Sequence, residues 1–279
     1  MELTFATLPL SGCSGCEVGL LNSDAWIGPY QLTYMPLVIS GDDLPPVDTL
    51  LVTGGVGTED DEYRLRRGRE RARRLIAVGT CAISGGVANI GDRDDVREVY
   101  FAQRGRRLVP RILPKCHPID DVVEVDLYLP GCPPMGHLYI AALFGIEGFK
   151  PSKTVCIDCG RRKTRDRPTA LTGFQSGEVD PELCLINQGY MCIGSSTRGG
   201  CGAPCTRAGN PCVGCRGPSD GFISRSREEW FTAIKKVFAR MTDIPPEAVD
   251  DVIRSPQYSL FTFQFADYTG RQRDPEKVL

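Results

Sequence analysis

Short apolar runs alternate with more polar stretches over the first 150 residues of the chain. Runs of this length, bounded by glycine and proline, are typical of buried strands, and the arginine-rich segment at 61–74 between two of them predicts a helix. Nearly continuous apolar strands separated by helices indicate a parallel sheet that is covered on both faces. The sequence therefore predicts an α/β domain with strands at 2–8, 33–40, 48–56, 75–81 and 122–134, and with further helices reaching Leu21 and following Pro134.

The character of the chain changes near residue 150. A proline-bearing segment at 149–153 separates the alternating pattern from a stretch that is rich in cysteine. Farther on, residues 226–241 predict a helix, and residues 259–279 have a loop-like pattern without recognisable chemistry. We therefore predict two domains, a sheet domain at 1–150 and a loop-rich domain at 151–279.

Charge and hydropathy exclude several classes of protein. The 33 Lys and Arg against 35 Asp and Glu leave a net charge of −2, which lacks the basic footprint of a general nucleic-acid binder. No apolar run approaches the roughly 18 residues of a membrane span. The N-terminus lacks the basic start and apolar stretch of a signal peptide. These features predict a cytoplasmic protein without a membrane span.

Thirteen cysteines need an explanation in such a protein, because a reducing cytosol does not usually sustain disulfides. In the first domain, Cys13 and Cys16 follow the first predicted strand, Cys81 ends a later one and Cys132 follows the last. The carboxyl ends of parallel strands meet at one edge of the sheet, so these four thiols are expected to converge on one site. Neighbouring glycines would let backbone amides approach a cluster sulfur closely. Cys116 has no such placement and is left unassigned.

Two simpler interpretations of these cysteines stay open. A Cys-x-x-Cys pair after a first strand is also found in thioredoxin-like redox proteins, which would make the chain a self-contained thiol–disulfide enzyme acting through Cys13 and Cys16. A single cysteine such as Cys81 is often a small buried hydrophobic residue rather than a ligand.

Eight further cysteines crowd into 65 residues of the second domain. Eight thiols can hold either two zinc ions or two cubane clusters. The spacing fits zinc ribbons poorly, because these take ligands from two compact knuckles, and the compact bacterial ferredoxin run is absent. Twelve thiols in sets of four favour three iron–sulfur clusters and an electron conduit. The competing hypothesis is a zinc-stabilised interaction module with no redox role.

Three short motifs, taken together, resemble the electron-transferring small subunit of NiFe hydrogenases. They are Cys13-Ser-Gly-Cys16-Glu17, Gly79-Thr80-Cys81-Ala82 and Pro130-Gly131-Cys132-Pro133-Pro134. The resemblance implies that the first domain is flavodoxin-like and binds a proximal 4Fe-4S cluster. Its ligands would be Cys13, Cys16, Cys81 and Cys132.

The second half resembles the same family in the order of its cysteines. The resemblance implies a distal 4Fe-4S cluster on Cys156, Cys159, Cys184 and Cys192, in which Cys156 stands where the membrane-associated uptake enzymes have a histidine. It also implies a medial 4Fe-4S cluster on Cys201, Cys205, Cys212 and Cys215, in which Cys205 supplies the ligand that uptake enzymes often lack. The length resembles the methyl-viologen-reducing, deazaflavin-reducing and sulfhydrogenase delta groups, and nothing in the sequence selects among them.

The family's nickel–iron centre lies on a partner large subunit. The resemblance therefore implies that hydrogen is split on that partner, and that this chain relays electrons between it and a downstream iron–sulfur or flavin subunit whose acceptor is left open. Glu17 is a candidate for the proton path, with capping of the adjacent helix as the alternative. The related cluster subunit of respiratory complex I differs, because it has adjacent cysteines at the first position and no second cysteine-rich domain.

Overall fold

A computed structural model describes residues 3–39, 41, 43–86, 89, 92, 98, 110–145, 154–173, 178–223, 225–254 and 273–279. The chain divides into two compact units, Met1–Phe149 with Glu276–Leu279, and Lys150–Pro275. The C-terminal Leu279 thus belongs to the first unit, where its N–H donates to the carbonyl oxygen of Tyr128. The predicted linker at 149–153 and most of the loop-like end at 259–279 lie outside the described residues.

A five-stranded parallel sheet forms the centre of the first unit. Within the described residues the strands are β1 (Leu3–Pro9), β2 (Tyr30–Tyr34), β3 (Val47–Thr53), β4 (Val56–Thr58), β5 (Ala72–Val78), β6 (Ile112–His117) and β7 (Leu127–Leu129). The sheet has the order β2-β1-β3-β5-β7, and a separate antiparallel pair joins β4 to β6. This is the order of the flavodoxin-like sheet when its strands are counted along the chain. The predicted α/β class is confirmed.

The helices of the first unit follow the strands. They are α1 (Gly15–Leu21), α2 (Glu59–Arg71), α3 (Gly79–Ser84) and α4 (Gly136–Phe144). Thr58 caps the start of α2. Its hydroxyl accepts from the Asp61 N–H while the Asp61 carboxylate accepts from the Thr58 N–H, a capping box that satisfies two otherwise unpaired donors. The helix predicted at 61–74 therefore begins two residues earlier and ends at Arg71.

Four predicted strands differ from the observed ones. The strand expected at 48–56 ends at Thr53, because Gly54 has φ +80, and Val56 begins β4. The strand expected at 75–81 ends at Val78, because Gly79 has φ +82 and begins α3, so Cys81 lies in a helix. The strand expected at 33–40 is Tyr30–Tyr34, and the one expected at 122–134 is only Leu127–Leu129. Each carboxyl end still lies at the predicted edge of the sheet.

The second unit consists mainly of loops, with four helices among the described residues. The helices are α5 (Val155–Cys159), α6 (Pro204–Arg207), α7 (Arg227–Met241) and α8 (Pro246–Arg254). Helix α7 matches the helix expected at 226–241, and its Trp230 is fully buried and donates through Nε1 to the carbonyl oxygen of Ser196. This contact ties the helix to the cysteine-bearing loops. None of the helices described in either unit has the length and apolar character needed to cross a bilayer.

Candidate metal centres

The four cysteines of the first unit lie beyond the carboxyl ends of strands in one sheet. Cys13 and Cys16 follow β1 at the start of α1, Cys81 lies in α3 directly after β5, and Cys132 follows β7. These strands run parallel, so their carboxyl ends share one edge. The topology therefore brings the four thiols to the same edge, as the sequence pattern predicts.

Electrostatics shows that these thiols are neighbours. Burial raises the pKa of Cys16 well above its usual value, and the negative charges of Glu17 and of the other three cysteines raise it further. A like charge has this effect only at short range. Such thiols ionise unfavourably without a cation, and binding to a metal stabilises the thiolate form. The three cysteines that act on Cys16 are Cys81, Cys132 and Cys13.

The backbone leaves room for these sulfur atoms. A Cβ atom on Gly79 would lie 2.5 Å from Sγ of Cys16, and one on Gly86 would overlap Sγ of Cys81. Both glycines have positive φ, +82 and +64, which side chains rarely adopt. The glycine-lined, partly buried set of four thiolates fits the all-cysteine ligation of a 4Fe-4S cluster. Within the described part of the chain, no three His, Cys, Asp or Glu side chains come close enough together to hold a single metal ion.

Glu17 is buried next to this cluster of thiols, with only 3% of its surface exposed. Its Oε1 accepts a hydrogen bond of 2.5 Å from the Thr53 hydroxyl, while its buried Oε2 has no partner among the described residues. The carboxylate thus points to the end of β3 rather than to the amino end of its own helix. Capping of α1 does not account for this residue.

Cys116 lies on β6, in the antiparallel pair, and does not follow a strand of the parallel sheet. Its Sγ donates to the carbonyl oxygen of Gly85 at 3.5 Å. Burial raises the pKa of the thiol to about 12, and the nearby charges of Asp92 and Cys81 add to the effect. Its position therefore separates the thirteenth cysteine from the four that follow strands of the parallel sheet.

The structure gathers four of the eight cysteines of the second unit. Burial raises the pKa of Cys156, and the charges of Cys184 and Cys159 raise it further. Burial likewise raises the pKa of Cys192 to about 12, with contributions from Cys156 and Cys184. These four thiols are close enough to affect one another and coincide with the predicted distal set.

Of the remaining four cysteines, Cys212 and Cys215 are close enough to affect each other. Burial raises the pKa of Cys212, and the charges of Cys192 and Cys215 raise it further. The Cys212 N–H also donates to Sγ of Cys192 at 3.3 Å, which joins this set to the preceding one. Cys201 lies in a loop, and Cys205 is exposed on α6. The placement of Cys201 and Cys205 in the medial set stays a prediction.

Two charged residues that the sequence pattern did not single out lie against the loop that carries Cys201. Asp158 accepts hydrogen bonds from this loop, and the buried Arg216 donates one to it. Their positions are the one feature of the sequence that could have pointed to them. Asp158 lies inside the Cys156–Cys159 motif, and Arg216 directly follows Cys215. Residues of either type are common beside cysteines, so position alone does not assign a role.

Comparison with known proteins assigns the fold and cysteine pattern to a family. The family model described as NADH ubiquinone oxidoreductase, 20 Kd subunit, matches residues 13–146, which include Cys13, Cys16, Cys81, Cys116 and Cys132. The matching subunit of the F420-non-reducing hydrogenase of Methanococcus voltae is 30% identical over 291 residues, covering 97% of this chain and 99% of that protein. The corresponding subunit of Methanocaldococcus jannaschii is 36% identical over 233 residues, covering 76% and 81%.

A solved structure supports the fold over most of the chain. The actinobacterial-type NiFe-hydrogenase from Ralstonia eutropha H16 has a TM-score of 0.53 and 15% identity, covering 91% of this chain and 86% of that one. At this identity the likeness shows the fold alone. The sequence relatives show that the chain belongs to the NiFe hydrogenase small-subunit family.

Proposed function

We propose that this chain relays electrons through three 4Fe-4S clusters, between the nickel–iron site of a partner large subunit and a downstream acceptor subunit. Family membership supports an electron-transfer role in a hydrogenase. The observation that carries the finer proposal is the gathering of four thiols at the carboxyl edge of the sheet, with a second group of four in the other unit. The relatives do not favour the alternative of a zinc-stabilised interaction module.

The proposed ligands form three sets of four. When bound, such clusters supply reversible one-electron oxidation and reduction. The chain's own contribution is to hold the thiolates, to keep side chains away from the sulfur atoms and to exclude water by burial. The sets are Cys13, Cys16, Cys81 and Cys132 for the proximal cluster, Cys201, Cys205, Cys212 and Cys215 for the medial cluster, and Cys156, Cys159, Cys184 and Cys192 for the distal cluster.

An exposed apolar surface beside the first set fits the partner large subunit. Val18 and Leu21 on α1 are 49% and 39% exposed, and Met135 at the start of α4 is 37% exposed. The two helices pack together, so these side chains lie on neighbouring elements, next to the exposed Cys13 and Cys132. Grouped apolar side chains on a surface mark sites of protein association. The apolar face is defined here as Val18, Leu21 and Met135.

A charge on this face is expected to separate the two subunits. Val18→Lys should weaken binding to the large subunit by more than about tenfold, because an unpaired charge would be buried at the contact. The measurement is copurification of the co-expressed subunits under anaerobic conditions, together with bleaching of the visible absorbance of the complex by hydrogen. Tyr63→Lys is the matched control, since Tyr63 is an exposed aromatic residue of α2, outside the apolar face. Hydrogen-dependent bleaching of the isolated chain would contradict the proposal that hydrogen is split on the partner large subunit.

Glu17 is proposed to carry protons for the partner's active site. Its carboxylate is buried beside the proximal set and one of its oxygens has no partner among the described residues, so a proton can be held there without breaking the bond to Thr53. An acid–base group of this kind typically contributes on the order of 10²-fold or more to a rate.

Replacing Glu17 by glutamine tests this role. Glu17→Gln keeps an acceptor for the Thr53 hydroxyl but cannot release a proton. Hydrogen oxidation by the complex should fall by about 10²-fold, while reduction of the clusters by dithionite stays normal. Thr53→Val is the control, because it removes the hydrogen bond and keeps the carboxylate, and it should reduce turnover much less. An unchanged hydrogen oxidation rate in Glu17→Gln would exclude the role.

The acceptor side is proposed to be an iron–sulfur or flavin subunit in the cytoplasm. The named relatives are subunits of F420-non-reducing hydrogenases, which are multi-subunit enzymes. Electron transfer through iron–sulfur clusters is compatible with a disulfide, a deazaflavin, a nicotinamide or sulfur as the final acceptor.

A further inference from the structure

The loop that carries Cys201 is held by a carboxylate from another cysteine motif. Asp158 lies on α5, and its Oδ2 accepts hydrogen bonds from the N–H groups of Gly200 at 2.7 Å and of Gly202 at 3.2 Å. The two donors flank Cys201 directly. The carboxylate therefore fixes the backbone on both sides of this cysteine.

A buried arginine holds the same loop from a second point. Arg216 follows Cys215, is only 2% exposed and is one of the largest fully buried side chains of the described residues. Its Nε donates to the carbonyl oxygen of Gly199 at 2.9 Å. A guanidinium stays charged in proteins, so Arg216 places a fixed positive charge beside this loop.

Two groups of opposite charge therefore bind the short segment that carries Cys201. The Asp158 carboxylate accepts from its N–H groups, and the Arg216 guanidinium donates to its Gly199 carbonyl oxygen.

We propose that Asp158 and Arg216 form a clamp of two opposite charges, which positions Cys201 as a cluster ligand and sets the reduction potential of the cluster bound there. Reduction adds one negative charge to the cluster, so the cation favours the reduced form and the carboxylate disfavours it. Asp158 lies between Cys156 and Cys159, so the clamp also connects the distal and medial sets. This inference rests on the proposed function, because it requires Cys201 to be a ligand.

Opposite shifts of one potential are the expected signature of the clamp. In the anaerobic complex with its large subunit, Arg216→Gln should lower the reduction potential of the medial cluster, and Asp158→Asn should raise it. Arg216→Lys should restore most of the wild-type potential, because it keeps the charge. The combination of Arg216→Gln with Asp158→Asn should bring the potential back toward wild type. The readouts are redox titration followed by EPR and the iron content of each variant.

A purely structural role makes a different prediction. It would cause iron loss in both single variants, or shifts of the same sign, and either result would overturn the clamp. If Arg216→Gln does not fold, Asp158→Asn still decides the matter, since asparagine keeps an acceptor for the two glycine N–H groups. An unchanged potential in this variant would overturn the proposal.

Failure of the clamp can be told apart from failure of the proposed function. Cys201→Ala in the same complex should change the iron content and the EPR spectrum if Cys201 is a ligand. An unaltered iron content and spectrum would overturn the medial ligand set and the clamp together. A changed spectrum in Cys201→Ala, with unshifted potentials in the two charge variants, would overturn the clamp alone.

Discussion

Loss of one whole cluster is the expected result of Gly79→Ala. The wild-type chain should contain about twelve iron atoms, by the four-iron stoichiometry of a site with four thiolate ligands, and the variant about eight. The added Cβ would lie 2.5 Å from Sγ of Cys16, so the sulfur must leave its position in the proximal set. Iron and sulfide analysis of the anaerobically purified complex provides the measurement.

A matched control separates this effect from backbone strain. Gly79 has φ +82, and Gly145 at the end of α4 has φ +58. Apart from its chain neighbours and its own helix backbone, no atom of the described residues lies within 4 Å of where a Cβ on Gly145 would be. Alanine at either residue costs about 1–2 kcal/mol for the left-handed backbone. Gly145→Ala should therefore lower the unfolding temperature but keep all of its iron. Equal iron contents in the two variants would show that the space beside Cys16 has no part in cluster binding.

The central strands could be predicted from the sequence because they are buried on both faces. In β3 the residues from Leu50 to Val52 are at most 1% exposed, and this burial requires the continuous apolar run that marks the strand. The outer strands lack this constraint. Among the described strands, β2 lies at the edge of the sheet beside β1 and ends at Tyr34, so the apolar residues after it form a turn rather than the predicted strand.

Pairing between distant segments could not be predicted from local patterns. The antiparallel pair joins Val56–Thr58 to Ile112–His117, two segments separated by more than fifty residues. It explains the placement of Cys116, which the sequence left unassigned. The end of β5 at Val78 depends on the positive φ of one glycine, which an apolar run does not reveal.

The convergence of the proximal thiols could be predicted because it depends on topology alone. Once the strands are parallel, residues that follow them share an edge whatever their separation along the chain. The role of Asp158 depends instead on hydrogen bonds to glycines more than forty residues away, and that of Arg216 on its burial. No hydrophobic periodicity and no sequence motif marks either contact, so a single sequence does not reveal it.

Removing the thiol of Cys205 is expected to convert the medial cluster into a three-iron cluster. Cys205 is exposed on α6, directly after Pro204, and alanine is a good helix residue at this position. Cys205→Ala should therefore leave the stability of the chain nearly unchanged, while one iron loses its only protein ligand. The iron content should fall by about one atom per chain, as expected when one of four thiolates is missing. The potential should rise, because the cluster and its ligands become less negative.

The thirteenth cysteine provides the control for this experiment. Cys116→Ala removes a buried sulfur, so it should lower the unfolding temperature, yet it should leave the iron content and the EPR spectrum unchanged. Cys205→Ala is thus expected to lose iron with little change in stability, whereas Cys116→Ala is expected to lose stability with no change in iron content. Oxidised Cys205→Ala should show a new three-iron EPR signal, with slower electron delivery to a low-potential acceptor and little change in hydrogen cleavage at the partner. If its spectrum matches that of Cys116→Ala, Cys205 is not a ligand, and the last four cysteines do not form one set.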